Sequence, residues 1–307
     1  MTYLSRKRLF VFGLVALAFF SALYIFLSAA PEPRPQERVV VIYLRGSIEE
    51  AGATGFTSTI TPRDVARQLE KAAEDETIKA AVLRVNSPGG AVAASQQIAG
   101  LIRDFTKPVV VSMGDMAASG GYYISSAADA IVAHPGTMTG SIGVIMMNVN
   151  PEGLYEKLGL EMEIIKSGEH KDMFHRGLHA VERQLLQNLS DEAYAQFIGD
   201  VAEGTGLEEA RVEELATGEI FIGSRAHQLG LVDELGGVDE AVQMAGELAG
   251  LEEPQKYEFP PPSVLEQFFH LAFQLPELLR KGWLPSELFL LEEVKQGFFP
   301  QLRYEIR

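Results

Sequence analysis

Apolar and polar positions along this chain switch repeatedly between two periods. Residues 39–44 are a short β-branched run, and Thr61-Pro62-Arg63-Asp64 opens a helical stretch with Val65, Leu69, Ala72 and Ala73 on its apolar positions and proline in its first turn. Residues 80–85 read as a buried strand, 91–105 as a helix with apolar Val92, Ile98, Leu101 and Ile102, and 108–113 as a further strand. The same reading predicts strands over 130–133 and 162–166, and mostly helical structure over about 182–204 and 207–251. Continuous apolar strands separated by helices predict βαβ units and a parallel sheet covered on both faces, hence an α/β fold. No internal repeat is visible, which argues against a duplicated domain.

The N-terminus breaks this pattern. Arg6, Lys7 and Arg8 precede an uncharged run over 9–30, whose length as a helix, about 33 Å, is enough to span a hydrocarbon core of ~30 Å. It reads as a transmembrane signal anchor. A cleaved signal peptide is the competing reading, since Ser28-Ala29-Ala30 resembles a cleavage site. Cations before the run and the proline-rich stretch 31–38 after it predict residues 1–8 in the cytoplasm and the body outside. A final segment, 252–307, carries a broad apolar face beginning at Val264, Leu265 and Phe268 after Pro260-Pro261-Pro262. It is predicted to hold helices that pack on the body or on a neighbour.

Composition narrows the chemistry. With 307 residues, 47% of them apolar and 22% charged, the chain has material for a real core and is not disordered. A formal charge of −16, from 26 Lys and Arg against 42 Asp and Glu, disfavours nucleic acid as a partner. The absence of cysteine excludes a disulfide framework, a thiolate zinc site and a cysteine nucleophile.

Candidate chemistry lies where strands hand over to helices. Asn86-Ser87-Pro88-Gly89-Gly90 is either an ordinary Pro-Gly turn or a loop whose backbone N–H groups approach an anion or oxyanion. Within Gly114–Ile124, Ser119 sits among small residues at a helix entry, where it is either an N-cap or a nucleophile with the Gly120 N–H beside it. Ser141 follows Thr139-Gly140, and Lys171 falls in Ser167-Gly168-Glu169-His170-Lys171-Asp172. A lysine there is a solvated loop charge or, beside hydroxyls, a base. His134 would be the base of a Ser-His-Asp rival, and His170, His175 and His179 would be the ligands of a metal site. Without a carboxylate at ligand-like spacing, they read instead as partly exposed loop histidines, and no metal or cofactor is predicted.

These segments, taken in order, resemble the signatures of the signal peptide peptidase A family in its short single-domain form. Val85–Gly90, Ser112–Ser125, Thr139–Val144 and Ser167–Asp172 carry the resemblance, and Leu215–Ala226 with Leu229–Gly237 extend it, so that it covers about 39–251. Departures are Glu219, where the family commonly has arginine, and Thr217 in place of aspartate. The resemblance implies a crotonase-like (Clp-protease-like) α/β fold, with 39–251 an S49-type serine–lysine peptidase domain. Carried onto this chain, Ser119 would be the nucleophile, Lys171 the general base and Ser141 the hydroxyl that orients Lys171. Gly90 and Gly120 would supply the oxyanion-hole N–H groups. It further implies a homo-oligomeric ring in which the serine of one protomer meets the lysine of the next. The implied substrates are apolar peptides such as cleaved signal peptides, and the implied place is the bacterial cytoplasmic membrane. A coenzyme A thioester enzyme of the same fold and a catalytically silent scaffold are the rival classes.

Overall fold

A computed structural model describes residues 36–51 and 58–260, together with Leu17, Phe20 and Ser21. Most of the predicted anchor and the apolar C-terminal segment beyond residue 260 lie outside the described residues. Among the described residues, no helix is long and apolar enough to cross a membrane.

The apolar runs become strands. In chain order the elements are β1 (Arg38–Arg45), β2 (Ser47–Ile48), β3 (Thr59–Ile60), α1 (Pro62–Glu74), β4 (Ile78–Ser87), α2 (Val92–Arg103), β5 (Val109–Ala118), α3 (Gly120–Ser125), β6 (Ala130–Ala133) and β7 (Met138–Gly140). They continue with α4 (Glu152–Leu158), α5 (Ala180–Thr205), α6 (Glu209–Leu215), β8 (Ile220–Ile222), α7 (Gly223–Gln228), β9 (Glu234–Leu235), α8 (Val238–Leu248) and β10 (Gln255–Glu258). Helix α1 starts where its sequence says it should: Thr61 Oγ1 accepts the Asp64 N–H at 3.1 Å, and Pro62 occupies the first turn.

The main sheet runs β10-β1-β4-β5-β6-β9, with β7 branching from β5 and β8 antiparallel to β7. Every other pairing in it is parallel. One face is sealed by α8, whose Ala241, Val242 and Ala245 pack on Val39, Val41, Ala80, Val82, Val110 and Val132. Because successive strand side chains point to opposite faces, Val40, Ile42 and Leu83 are buried on the other side. Burial on both faces is why these strands read as unbroken apolar runs. The sheet continues past the predicted domain end at 251, since β10 adds in parallel beside β1.

One sequence expectation differs from the structure and another holds only in part. Residues 162–166 do not form a strand: the segment has no ladder partner among the described residues, and it leaves Ile165 93% exposed. Residues 207–251 are mostly helical as expected, in α6, α7 and α8, but β8 and β9 interrupt the helices and extend the sheet around β7 and β6.

Candidate active site

The site is built at the carboxyl ends of β4, β5 and β7, where open α/β sheets place their ligands. A local irregularity aims it. Between Val85↔Met113 and Ser87↔Ala117, β5 advances four residues while β4 advances two, so Gly114 and Asp115 form a bulge. Asn86 fills the gap in the ladder, its Oδ1 accepting the Met116 N–H at 3.0 Å. There is no room for a side chain at Gly114, since a Cβ would lie 2.8 Å from that of Asn86. Beyond the bulge, β5 leaves β6 and pairs with β7, bringing Ala118 opposite Gly140. Thr137 and Thr139 fasten the switch by donating hydroxyl hydrogen bonds to the Gly114 and Ala117 carbonyls, each at 2.7 Å.

The two candidate hydroxyls emerge from this strand pair side by side. Ser119 and Ser141 each follow a paired strand end, and both adopt positive φ, 53° and 51°. For residues bearing a Cβ such geometry costs of order 1–3 kcal/mol and persists only where the surroundings impose it. The surroundings here are backbone hydrogen bonds: Ser119 N–H to the Gly140 carbonyl at 2.8 Å and Ser141 N–H to the Glu219 carbonyl at 2.7 Å. Ser119 stands at the N-cap position of α3, yet its hydroxyl makes no capping hydrogen bond. Its side chain is therefore not spent on capping α3.

Opposite Ser119 lies the 86–90 loop. Ile48 of β2 pins it through Ile48 N–H to Gly89 O at 2.9 Å and Ala91 N–H to Ile48 O at 2.8 Å. Gly89 takes φ +101°, and a Cβ there would press to within 2.7 Å of the Gly120 nitrogen. A Cβ on Gly120 would lie 3.2 Å from the Gly90 nitrogen, so the two candidate oxyanion donors face one small space. Glycine is required here because the two backbones approach each other closely.

Ser119, Ser141, Gly90 and Gly120 all line one cleft of about 540 Å³, walled further by Tyr123 and by Tyr194 and Phe197 of α5. Lys171 does not line it. Its loop is exposed and braced elsewhere: Lys166 pairs with Asp172 at 2.6 Å, Arg176 bridges Asp172 at 3.0 Å and Glu182 at 2.7 Å, and His170 lies 3.2 Å from Glu182. Glu182, only 1% exposed, also accepts the His179 N–H at 2.9 Å. Hydrogen bonds from Arg176 first, and then from Lys166, hold the Asp172 carboxyl well below the usual carboxylate range. Arg176 does the same for Glu182. One chain therefore brings together four of the five predicted site residues and holds the fifth apart. His170 and His179 are engaged by this ion-pair network, and no group suited to hold a metal exists among the described residues.

Several supporting residues were missed from sequence. Tyr122 of α3 is fully buried and donates to the Leu231 carbonyl at 3.0 Å, tying the helix that follows Ser119 to the downstream 229–237 motif. Burial raises its phenol above the ordinary range. Tyr123 donates to the Asp200 carboxylate on α5. Residues 216–218, distant in sequence, form part of the cleft wall. The Glu219 departure leaves the Ser141 contact intact, because the acceptor there is a backbone carbonyl.

Comparison with known proteins adds the following. Residues 102–252 match the model of peptidase family S49, and residues 52–139 match that of the Clp protease family. A Synechocystis protein provisionally named protease slr0021 is 42% identical over 218 residues, covering 70% of this chain and 78% of that protein. An Enterococcus faecium protein provisionally named signal peptide peptidase SppA is 36% identical over 219 residues, 69% of this chain and 63% of that protein. Protease 4 of Haemophilus influenzae is 38% identical over 221 residues, 69% of this chain but 35% of its own length, so the chain spans about a third of that relative.

Proposed function

Since the chain belongs to peptidase family S49 and is a serine peptidase, we propose that it is an endopeptidase with Ser119 as nucleophile and the Lys171 of a neighbouring copy as base. The observation that carries this reading is the Ser119 turn: a positive-φ serine whose hydroxyl is not used to cap its helix, next to Gly120 and sharing with Gly90 a cleft that Lys171 of the same chain does not line.

The chemistry follows from these groups. The lysine amine, in its neutral form, takes the Ser119 Oγ proton as Oγ attacks the peptide carbonyl carbon. The N–H groups of Gly90 and Gly120 hold the oxyanion that forms. Collapse expels the amine, which takes the proton from the lysinium, and leaves an acyl-enzyme. Water, deprotonated by the same lysine, then releases the acid and restores Ser119. Each well-placed oxyanion donor is worth about 3 kcal/mol of barrier. Ser141, tied beside Ser119 by the β5–β7 pairing, would orient the incoming amine.

A neighbouring copy is supported by what the chain leaves bare. Ile145 (84% exposed), Met147 (86%), Val149 (78%) and Ile165 (93%) lie on the segments between the cleft and the lysine loop. Soluble surfaces rarely leave so many large apolar side chains uncovered unless a partner meets them. A ring of identical subunits would cover them and carry Lys171 into the next cleft. The cleft's Tyr123, Val144, Tyr194 and Phe197 suit apolar peptides. With the charged flank and apolar run over 6–30 acting as an uncleaved anchor, the catalytic body would stand outside the cytoplasmic membrane, where cleaved signal peptides are the apolar substrates at hand.

The test is a serine-directed acylating probe applied to the assembled, full-length protein. The reading predicts one label, on Ser119, lost in Lys171→Ala. Wild-type assemblies that are never labelled would end it.

A further inference from the structure

Helix α5 forms one wall of the cleft, yet little of it is buried. Its inward residues are Glu182 at one end and Phe197, Ile198 and Val201 near the other. Gln187, Ser190, Asp191 and Tyr194, which face the cleft, lie on the stretch between these two anchorages. The wall's distance from Ser119 therefore depends on how the C-terminal third of α5 is fastened, together with the 2.6 Å hydrogen bond from the Tyr194 hydroxyl to the Ala216 carbonyl.

That fastening is shared between α2 and α3, the helix that begins beside Ser119. Tyr123 packs against Phe197 with the rings tilted by 59° and their centroids 4.9 Å apart, and it donates its hydroxyl to the Asp200 carboxylate. Arg103 of α2 approaches the same carboxylate at 3.8 Å, and Gln96 donates to Gln196 at 2.7 Å. Below them, Gly204 packs so tightly on the Ser126 carbonyl that a Cβ would fall 1.7 Å from its oxygen. Tyr123 is 5% exposed and lines the cleft, whereas Asp200 stands behind it. One hydrogen bond thus links the floor beside Ser119 to the opposing wall. Between α3 and α5 it is the polar complement to the tilted ring contact and the Gly204 backbone packing, with Arg103 and Gln96 of α2 adding polar contacts beside it.

We infer that the Tyr123–Asp200 hydrogen bond sets the width of the substrate cleft and so determines which apolar side chains are held beside Ser119. The inference rests on the peptidase reading above and names Asp200 as a positioning residue, acting through Tyr123. Removing the carboxylate leaves the phenol without its acceptor and frees the wall to move, while Ser119, Gly90 and Gly120 keep their own backbone ties.

The experiment uses the full-length, assembled protein and two peptides that differ only in carrying leucine or alanine before the cleaved bond. Asp200→Ala is expected to raise KM for the preferred peptide about tenfold, the lower end of the effect of losing a hydrogen bond to a charged group. It is also expected to compress the leucine-to-alanine ratio of kcat/KM, with kcat changing far less. Tyr123→Phe, which keeps the ring on Phe197, should do the same. Asp200→Asn, which keeps an oxygen acceptor, should stay near wild type. A small acylating probe, which does not reach the wall, should label Ser119 in Asp200→Ala at nearly the wild-type rate. Unchanged KM and peptide ratio in Asp200→Ala would overturn the inference. So would a parallel fall of kcat, labelling and melting temperature, which would make the bond a fold contact only. Failure to label the wild type would instead overturn the peptidase reading, and the inference with it.

Discussion

Gly120 offers a sharp test of the close approach between the two loops that flank Ser119. Replacing it with alanine adds one methyl group at a buried position, the first residue of α3, where the backbone itself accepts any residue. Helix propensity alone would make the change stabilising by at most about 1 kcal/mol. The surroundings reverse that sign. The new Cβ would lie 2.6 Å from Ser95 Oγ, 3.2 Å from the Gly90 nitrogen and 3.3 Å from Gly89 Cα. Ser95 is itself buried and held by a 3.0 Å hydrogen bond to the Ala91 carbonyl, so it has little freedom to retreat. Overpacking of this kind costs about 1–3 kcal/mol, which for a domain of this size lowers Tm by about 3–10 °C. The larger effect expected is on catalysis: the methyl would wedge the 86–90 loop away from α3 and separate the two proposed oxyanion donors, and losing one such donor lowers kcat about 10²- to 10³-fold. Pairing Gly120→Ala with Ser95→Ala removes the 2.6 Å clash but leaves the 3.2 Å contact with the Gly90 nitrogen. The double variant should therefore regain most of the lost Tm and only part of kcat. Calorimetry and steady-state peptide hydrolysis on the assembled protein measure both. If Gly120→Ala keeps kcat within about twofold of wild type, the two N–H groups do not act on one oxyanion.

If, as proposed, the Ser141 hydroxyl orients the lysine and does not bind the peptide, Ser141→Ala should lower kcat about 10- to 100-fold with little change in KM; an equal rise in KM would contradict that role. Ser141 is held at φ 51°, so Ser141→Gly should lose the same activity while gaining slightly in Tm relative to Ser141→Ala. Acid should loosen the lysine loop in a defined window. Asp172 and Glu182 titrate below their ordinary range because of Arg176, so their stabilising contribution is complete above the unfolded carboxylate values near about 4 and is lost as pH falls below them. The Tm of wild type should then fall more steeply between about pH 5 and pH 3 than that of Arg176→Met, and parallel curves would refute the assignment. Gly114→Ala should push on the Asn86 side chain at 2.8 Å and lower both Tm and Ser119 labelling, which Asn86→Gly, by emptying that space, should partly relieve.

How much of this was readable in the sequence depends on how local the cause is. Strand β6 falls at the predicted residues because a strand buried on both faces must be apolar throughout, and α1 begins at Thr61 because cap and proline are adjacent. Ser119, Ser141, Gly90 and Gly120 stood out because a turn with positive φ or close backbone approach leaves glycine and serine in a compact signature. Strand β5 ran longer than predicted. Gly114 to Ala118 have the composition of a loop, and pairing with the distant β7 and with the end of β4 makes them a strand. The supposed strand over 162–166 failed for the converse reason, since an apolar run without a ladder partner stays irregular. The brace on the lysine loop was hidden in an unremarkable Asp172-x-x-x-Arg176 spacing plus a buried Glu182, and the Tyr123–Asp200 tie spans 77 positions with no local trace.

The central claim is that a working site draws Ser119 from one chain and Lys171 from another. Ser119→Ala and Lys171→Ala chains, each inactive alone, should regain peptide hydrolysis when unfolded and reassembled together, in proportion to the mixed neighbour pairs formed. Mixed assemblies verified by mass spectrometry that remain as inactive as either parent would contradict the claim.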